Sequence, residues 1–236
     1  MKAKLKIIGT SHISPESIRQ IESTIKKEKP DCVAVELDPG RLEGLLRKQT
    51  IGFRSISQIG VRNFFVAKIF SSIQRYLGRK TGVMPGEEML TAVNIAREIR
   101  ADLALIDQNI LVTLERMRSI PFIEKLKLFF SLFKKSNVDE KIDLRKVPLE
   151  RVVEKVLDEL KKISPNLYKV LVEERDTYMA NHLFNLSQKY NKIVAVVGVG
   201  HRKGILKALK ELEEDKEKLD KKIMHYKRRT GRYSYL

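Results

Sequence analysis

Residues 192–201 read KIVAVVGVGH, an unbroken apolar run from Ile193 to Val197 followed by Gly198-Val199-Gly200-His201. A short run of Val, Ile and Ala with no polar alternation suits a strand covered on both faces, and such strands belong to parallel sheets. Working outward, Lys4 to Ile8, Cys32 to Leu37 and Leu103 to Ile106 have the same character. Helical patterns stand between them. The expected fold is α/β, a mostly parallel central sheet flanked by helices, in one domain spanning residues 1–236.

The first connection opens Ser14-Pro15-Glu16, a capping residue and then proline at the first helical position, and it places Ile18, Ile21 and Ile25 on one face. Asp38-Pro39 repeats the start signal, and Met89, Ala92, Val93 and Ala96 mark a second amphipathic helix. Two stretches, about 51–82 and 121–190, are too long for simple connections and carry helical periodicity, so they are expected as helical excursions forming a cap. A charged helix is expected over about 207–229, where opposite charges recur four residues apart before a basic end.

Composition narrows the classes. The 236 residues are 42% hydrophobic, enough for one sizeable core. One cysteine, Cys32, excludes a disulfide framework and a cysteine-rich metal site, which fits a reducing, cytoplasmic location. The basic N-terminus lacks a signal-peptide pattern, and no window is apolar enough to span a bilayer, although the basic end could flank a membrane segment beyond the sequence given. Charged residues at 33% lean towards a hot environment. The formal charge of +17 favours anionic partners, but no nucleic-acid reading motif accompanies it. Phe64, Phe65, Phe70 and Tyr76, then Phe122, Phe129, Phe130 and Phe133, lie among Lys and Arg. Helix packing explains such stripes most simply; a basic amphipathic surface for a membrane or partner helix is the sharper reading.

Ligands of open parallel sheets bind beyond the carboxyl ends of the strands, where loops converge and helix N-termini point inward. The first strand runs into Gly9-Thr10-Ser11-His12, the second into Glu36-Leu37-Asp38, the third into Asp107, and the last into Gly198-Val199-Gly200-His201. A lone histidine at a strand end is more often structural than functional. Two G-x-x-H motifs converging with carboxylates on one rim make His12, Glu36 and His201 the candidate site. Two histidines and a carboxylate with open positions suit zinc, manganese, cobalt or iron, which would polarise a carbonyl and activate water. A metal-free alternative has one histidine as general base, oriented by Glu36. Gly198-Val199-Gly200 followed by Lys203 and Gly204 misses the dinucleotide spacing, and no H-E-x-x-H, P-loop or nucleophile elbow occurs.

These residues resemble the TraB/PrgY family. The likeness is carried by Gly9-Thr10-Ser11-His12, Val35-Glu36-Leu37-Asp38 with Arg41, Gly82 through Pro85-Gly86-Glu87-Glu88-Met89, Ile106-Asp107 with Thr113 and Arg116, Glu174-Arg175-Asp176 with Met179, and Gly198-Val199-Gly200-His201 with Gly204-Ile205. That family is associated with shutdown of peptide pheromones and is similar to the Tiki metalloproteases and the erythromycin esterases. The resemblance implies His12, His201 and Glu36 as the centre, with Glu88, Asp107, Arg116 and Arg175 at further motif positions. One departure stands out, since relatives often read Asp-Arg-Asp where this chain has Asp107-Gln108-Asn109. The leading expectation is a metal-dependent hydrolase of peptide or amide bonds using Mn, Co or Zn. The rival is a module that sequesters peptides or signals from a membrane. Expected partners are a peptide, a membrane surface and further copies of the chain.

Overall fold

The computed structural model of the chain describes residues 3–10, 15–47, 86–131 and 149–230. The stretch expected as the first helical excursion, about 51–82, lies outside them. Strand β1 (Lys4–Thr10) leads to helix α1 (Pro15–Glu28), β2 (Cys32–Val35) and α2 (Pro39–Leu46). Helix α3 (Glu87–Glu98), β3 (Asp102–Leu105), α4 (Ile110–Arg118), α5 (Phe122–Ser131) and α6 (Leu149–Ile163) follow. The short α7 (Pro165–Tyr168) continues through one π-helical turn, Lys169–Glu173, into α8 (Glu174–Lys189), and β4 (Lys192–Gly198) runs directly into α9 (Val199–Thr230).

The strands form one sheet in the order β1-β4-β2-β3 with every pair parallel. Period-2 alternation splits its side chains between two cores. Val33, Val35, Val194 and Val196 meet Ile21 and Ile25 of α1 and Met89, Ala92, Val93 and Ala96 of α3 on one face. Cys32, Ala34, Ile193, Ala195 and Val197 meet Met179, Ala180 and Leu183 of α8 and Ile205 and Leu209 of α9 on the other. Coverage of both faces explains why the central strands β2 and β4 carry no polar alternation, whereas the edge strand β1 exposes Lys4 and Lys6. A satellite cluster of Met117, Ile120, Leu167 and Val170–Val172 joins α4, α7 and the π-turn.

Helix α1 begins at Pro15 as expected, its cap candidate Ser14 lying outside the described residues, and Asp38 caps α2 by accepting the N–H groups of Gly40 and Arg41 at 2.9 and 3.2 Å. Of the span 121–190, residues 132–148 lie outside the described residues, and its last helix, α8, packs on the core as a layer of the sheet. One expected boundary changes. The charged C-terminal helix does not begin near 207 but at Val199, so Gly200 and His201 are helical rather than in a loop. No helix among the described residues is long and apolar enough to cross a membrane.

Candidate functional site

The main chain carries its pairing past the strand ends and so fixes the rim. The Glu36 N–H donates to Val196 O at 3.1 Å, Ile106 N–H to Val35 O at 3.1 Å, and Asp107 N–H to Leu37 O at 3.3 Å. Glu36 and Asp107 are thereby held by backbone geometry, and both are buried. His201 reaches the same rim from the first turn of α9. Arg175 and Asp176 come from the first turn of α8, where the preceding π-turn, a wider ring often found at functional sites, sets their direction.

Arg175 is the hub. Its Nε donates to Asp107 Oδ1 at 3.0 Å and its Nη2 to Asp107 Oδ2 at 2.5 Å, a bidentate fork. Nη2 also donates to Glu36 Oε1 at 2.5 Å, while Nη1 donates to Leu171 O at 3.2 Å and to His201 Nε2 at 3.0 Å. All of the guanidinium's donors are used. Arg41 adds a second cation, donating to Asp38 Oδ2 at 2.5 Å and to Asp107 Oδ2. Burial opposes charge on Arg175, but Glu36 and Asp107 outweigh it and hold the group above its ordinary value. The same balance of burial against Asp107 raises Arg41.

His201 is oriented by Asp176, not by Glu36 as expected for a metal-free base. Its Nδ1 lies 2.6 Å from Asp176 Oδ1. Arginine can only donate, so Nε2 facing Arg175 must accept, which puts the ring proton on Nδ1, pointing at Asp176. Burial pushes the Asp176 carboxyl above its usual range, against the pull of His201. The pair leaves no room for a side chain at Gly204, whose Cβ would stand 2.6 Å from Asp176 Cγ and closer still to Oδ2. Asp176 also shows the signal by which sequence could have found it. It shares the apolar stripe of α8 with Met179, Ala180 and Leu183, three, four and seven residues on, where a carboxylate must have a buried partner.

Glu36 Oε2 accepts the Gly198 N–H at 2.6 Å, and Glu36 Oε1 lies 3.4 Å from His201 Nε2. Two acceptor atoms that close need positive charge between them, and Arg175 supplies it. The chemistry and spacing of the pair also fit two donors on one divalent ion at about 2.1 Å each. Asp176 behind His201 is the carboxylate such a histidine ordinarily donates to. His12, the third expected ligand, lies outside the described residues, and among these no group of three or more ligating side chains forms a metal cluster. At the end of β1, opposite Gly198 in the ladder, Thr10 Oγ1 is buried with no hydrogen-bond partner among the described residues, a group that costs about 1–3 kcal/mol unless a ligand satisfies it.

The remaining candidates sit apart from this network or in its support. Arg116 is exposed on α4, with its Nε 3.8 Å from Glu174 Oε2. Glu88 is buried in the first turn of α3. Gln108 turns inward and donates to Thr113 Oγ1 at 2.7 Å, while Asn109 caps α4 by accepting Leu111 N–H at 2.9 Å.

Comparison with known proteins agrees with the resemblance. Residues 2–221 match the TraB/PrgY/gumN family. An uncharacterized protein of Methanocaldococcus jannaschii is 38% identical over 212 residues, covering 88% of this chain and 53% of its own length. TraB domain-containing proteins of Bos taurus and Homo sapiens are 26% and 24% identical, each over 87% of this chain and 62% of their own length. The chain therefore spans between about half and two thirds of these relatives.

Proposed function

The chain belongs to the TraB/PrgY/gumN family, and from that premise we propose that it is a metal-dependent hydrolase of peptide or amide bonds. The observation that carries the reading is the placement of His201 Nε2 3.4 Å from Glu36 Oε1, with Asp176 fixing the far side of the ring. His201 and Glu36, joined by His12, would hold manganese, cobalt or zinc. The bound ion would polarise the scissile carbonyl and generate hydroxide near neutral pH.

The chain's own groups do the positioning. Asp176 keeps the proton on Nδ1 so that Nε2 presents its lone pair, and the Gly198 N–H holds Glu36 from the opposite side. Arg175, itself held by Asp107, fixes the other face of Glu36, and its charge lies beside the place where negative charge would develop. The finer likeness to the Tiki metalloproteases and the erythromycin esterases is part of this proposal, supported by the two G-x-x-H motifs and the strand-end glutamate. So is a cytoplasmic setting, supported by the buried free thiol of Cys32.

One observation favours a second reading, a module that binds peptides without cleaving them: Arg175 already engages both donor atoms, so the network is complete without an ion. The test is elemental mass spectrometry on protein purified without chelator, with a peptide-library cleavage assay after add-back of Mn, Co and Zn. Wild type should hold stoichiometric metal and release product, and His12→Ala/His201→Ala should lose both. Saturable peptide binding with no product under any add-back refutes the hydrolase and leaves the binding module.

A further inference from the structure

Helix α5 is amphipathic the wrong way round. Phe122, Ile123, Leu126 and Phe130 are 64%, 66%, 41% and 59% exposed. Its polar Glu124 faces inward and fastens the neighbouring helix start. Glu124 Oε2 accepts the Ser164 hydroxyl at 2.6 Å and the Asn166 N–H at 3.1 Å, and Oε1 accepts Asn166 Nδ2 at 2.5 Å. Leu128, also inward, packs on the cluster of Met117 and Ile120. These contacts fix which face looks out.

We propose that this face of α5 docks on an anionic lipid surface. At about 100° per residue, the four exposed apolar side chains fall in an arc of about 100°, and Lys125 and Lys127 stand about 60° and 40° beyond its two edges. An apolar arc bordered on both sides by lysines is the arrangement of a helix lying in a membrane interface, where the rings enter the acyl boundary and the ammonium groups reach the headgroups. Lys125 Nζ donates to the Arg118 carbonyl at 3.3 Å, which brings the exposed Arg118 beside that border. The formal charge of +17 supplies the longer-range attraction that a neutral partner surface would not use. With 10 residues α5 is about 15 Å long, half the thickness of a bilayer core, so it would lie on the surface rather than cross it.

The whole chain is sedimented with vesicles of phosphatidylglycerol and phosphatidylcholine in equal parts, and with phosphatidylcholine alone. Binding to the anionic vesicles only is expected. Phe122→Ser/Ile123→Ser, which leaves Glu124 and its partners intact, should weaken it about tenfold or more. Lys125→Gln/Lys127→Gln should weaken it several-fold and lower its salt sensitivity. Circular dichroism confirms that each variant is folded. Wild type that stays in the supernatant overturns the proposal, as does vesicle binding that the Phe122→Ser/Ile123→Ser variant retains in full. A concentration-dependent dimer in sedimentation velocity that this variant abolishes, with no vesicle binding, also overturns it and assigns the face to a second copy.

Discussion

Replacing Gly204 with alanine adds one methyl group to the second turn of a long helix. By helix propensity alone the change should stabilise the protein by about 1 kcal/mol. The site reverses that sign. The new Cβ would lie 2.6 Å from Asp176 Cγ and 3.1 Å from Asp176 Cβ, so Asp176 must leave its place and give up the bond to His201 Nδ1. Losing a hydrogen bond to a charged group costs about 1.5–3 kcal/mol. Forcing a methyl into a filled space costs about 1–3 kcal/mol more. Set against the propensity gain, the net loss is about 1.5–5 kcal/mol, a fall in Tm of roughly 3–20 °C for a domain of this size. Thermal and urea unfolding measure it, and the His201 Nδ1 proton resonance reports the broken pair. Asp176→Ala in the same chain removes the obstructing carboxyl, so the double variant should be less unstable than the sum of the single ones. A Gly204→Ala protein as stable as wild type, with the Nδ1 proton unchanged, refutes the packing on which the site description rests.

Four other outcomes follow from the same geometry. Arg175→Met strands Glu36 without its cation and leaves Asp107 with Arg41 alone, and should destabilise by about 3–5 kcal/mol in urea unfolding, whereas an exposed arginine such as Arg116→Met should change stability by less than about 1 kcal/mol. Thr10→Val removes an orphaned hydroxyl and should raise Tm while lowering turnover or peptide affinity; a loss of stability would show that the hydroxyl has a partner within the fold. Because Asp176 is raised above 3.8 by burial, the stability it contributes falls as pH rises from its unfolded value through its folded one. Asp176→Asn should therefore compare progressively better with wild type up that window and level off above it, as pH-dependent unfolding will report. Burial pushes the Cys32 thiol up to about 11, with Asp102 adding to the shift, so the folded protein should resist alkylation at pH 8 and react only on unfolding.

The two cores were legible because Val33, Val35, Ile193 and Val194 lie in apolar runs whose only buried solution is a sheet covered on both sides. Glu36, Asp107 and His201 were legible for a related reason: each follows such a run, and parallel strands deliver their successors to one rim. Arg175 entered the candidate set only through the family likeness of Glu174-Arg175-Asp176; it and Asp176 belong to a helix far along the chain from Glu36, and local pattern does not say which strand end a helix's first turn will meet. The carboxylate on the apolar stripe of α8 was the clue available. The inward turn of Glu124 was hidden too, because Lys125 and Lys127 make α5 read as an ordinary helix with a wet charged face. Only the contact with Ser164 and Asn166 reveals that the wet face is the apolar one.

The strand order has a consequence for the chain as it is made. Strand β4 lies between β1 and β2, yet it is the last of the described strands to be synthesised, so β1 has no described ladder partner until residues 192–198 have emerged. Until then, of the described pairings, only β2–β3 can close, and the apolar edge of β2 that will receive Val194 and Val196 stays open. Such distant pairings carry a loop-closure cost before they return any stability, which slows folding and prolongs the exposure of sticky edges. A nascent chain halted before Ile193 should be a client for chaperones, and one released a few dozen residues later should not.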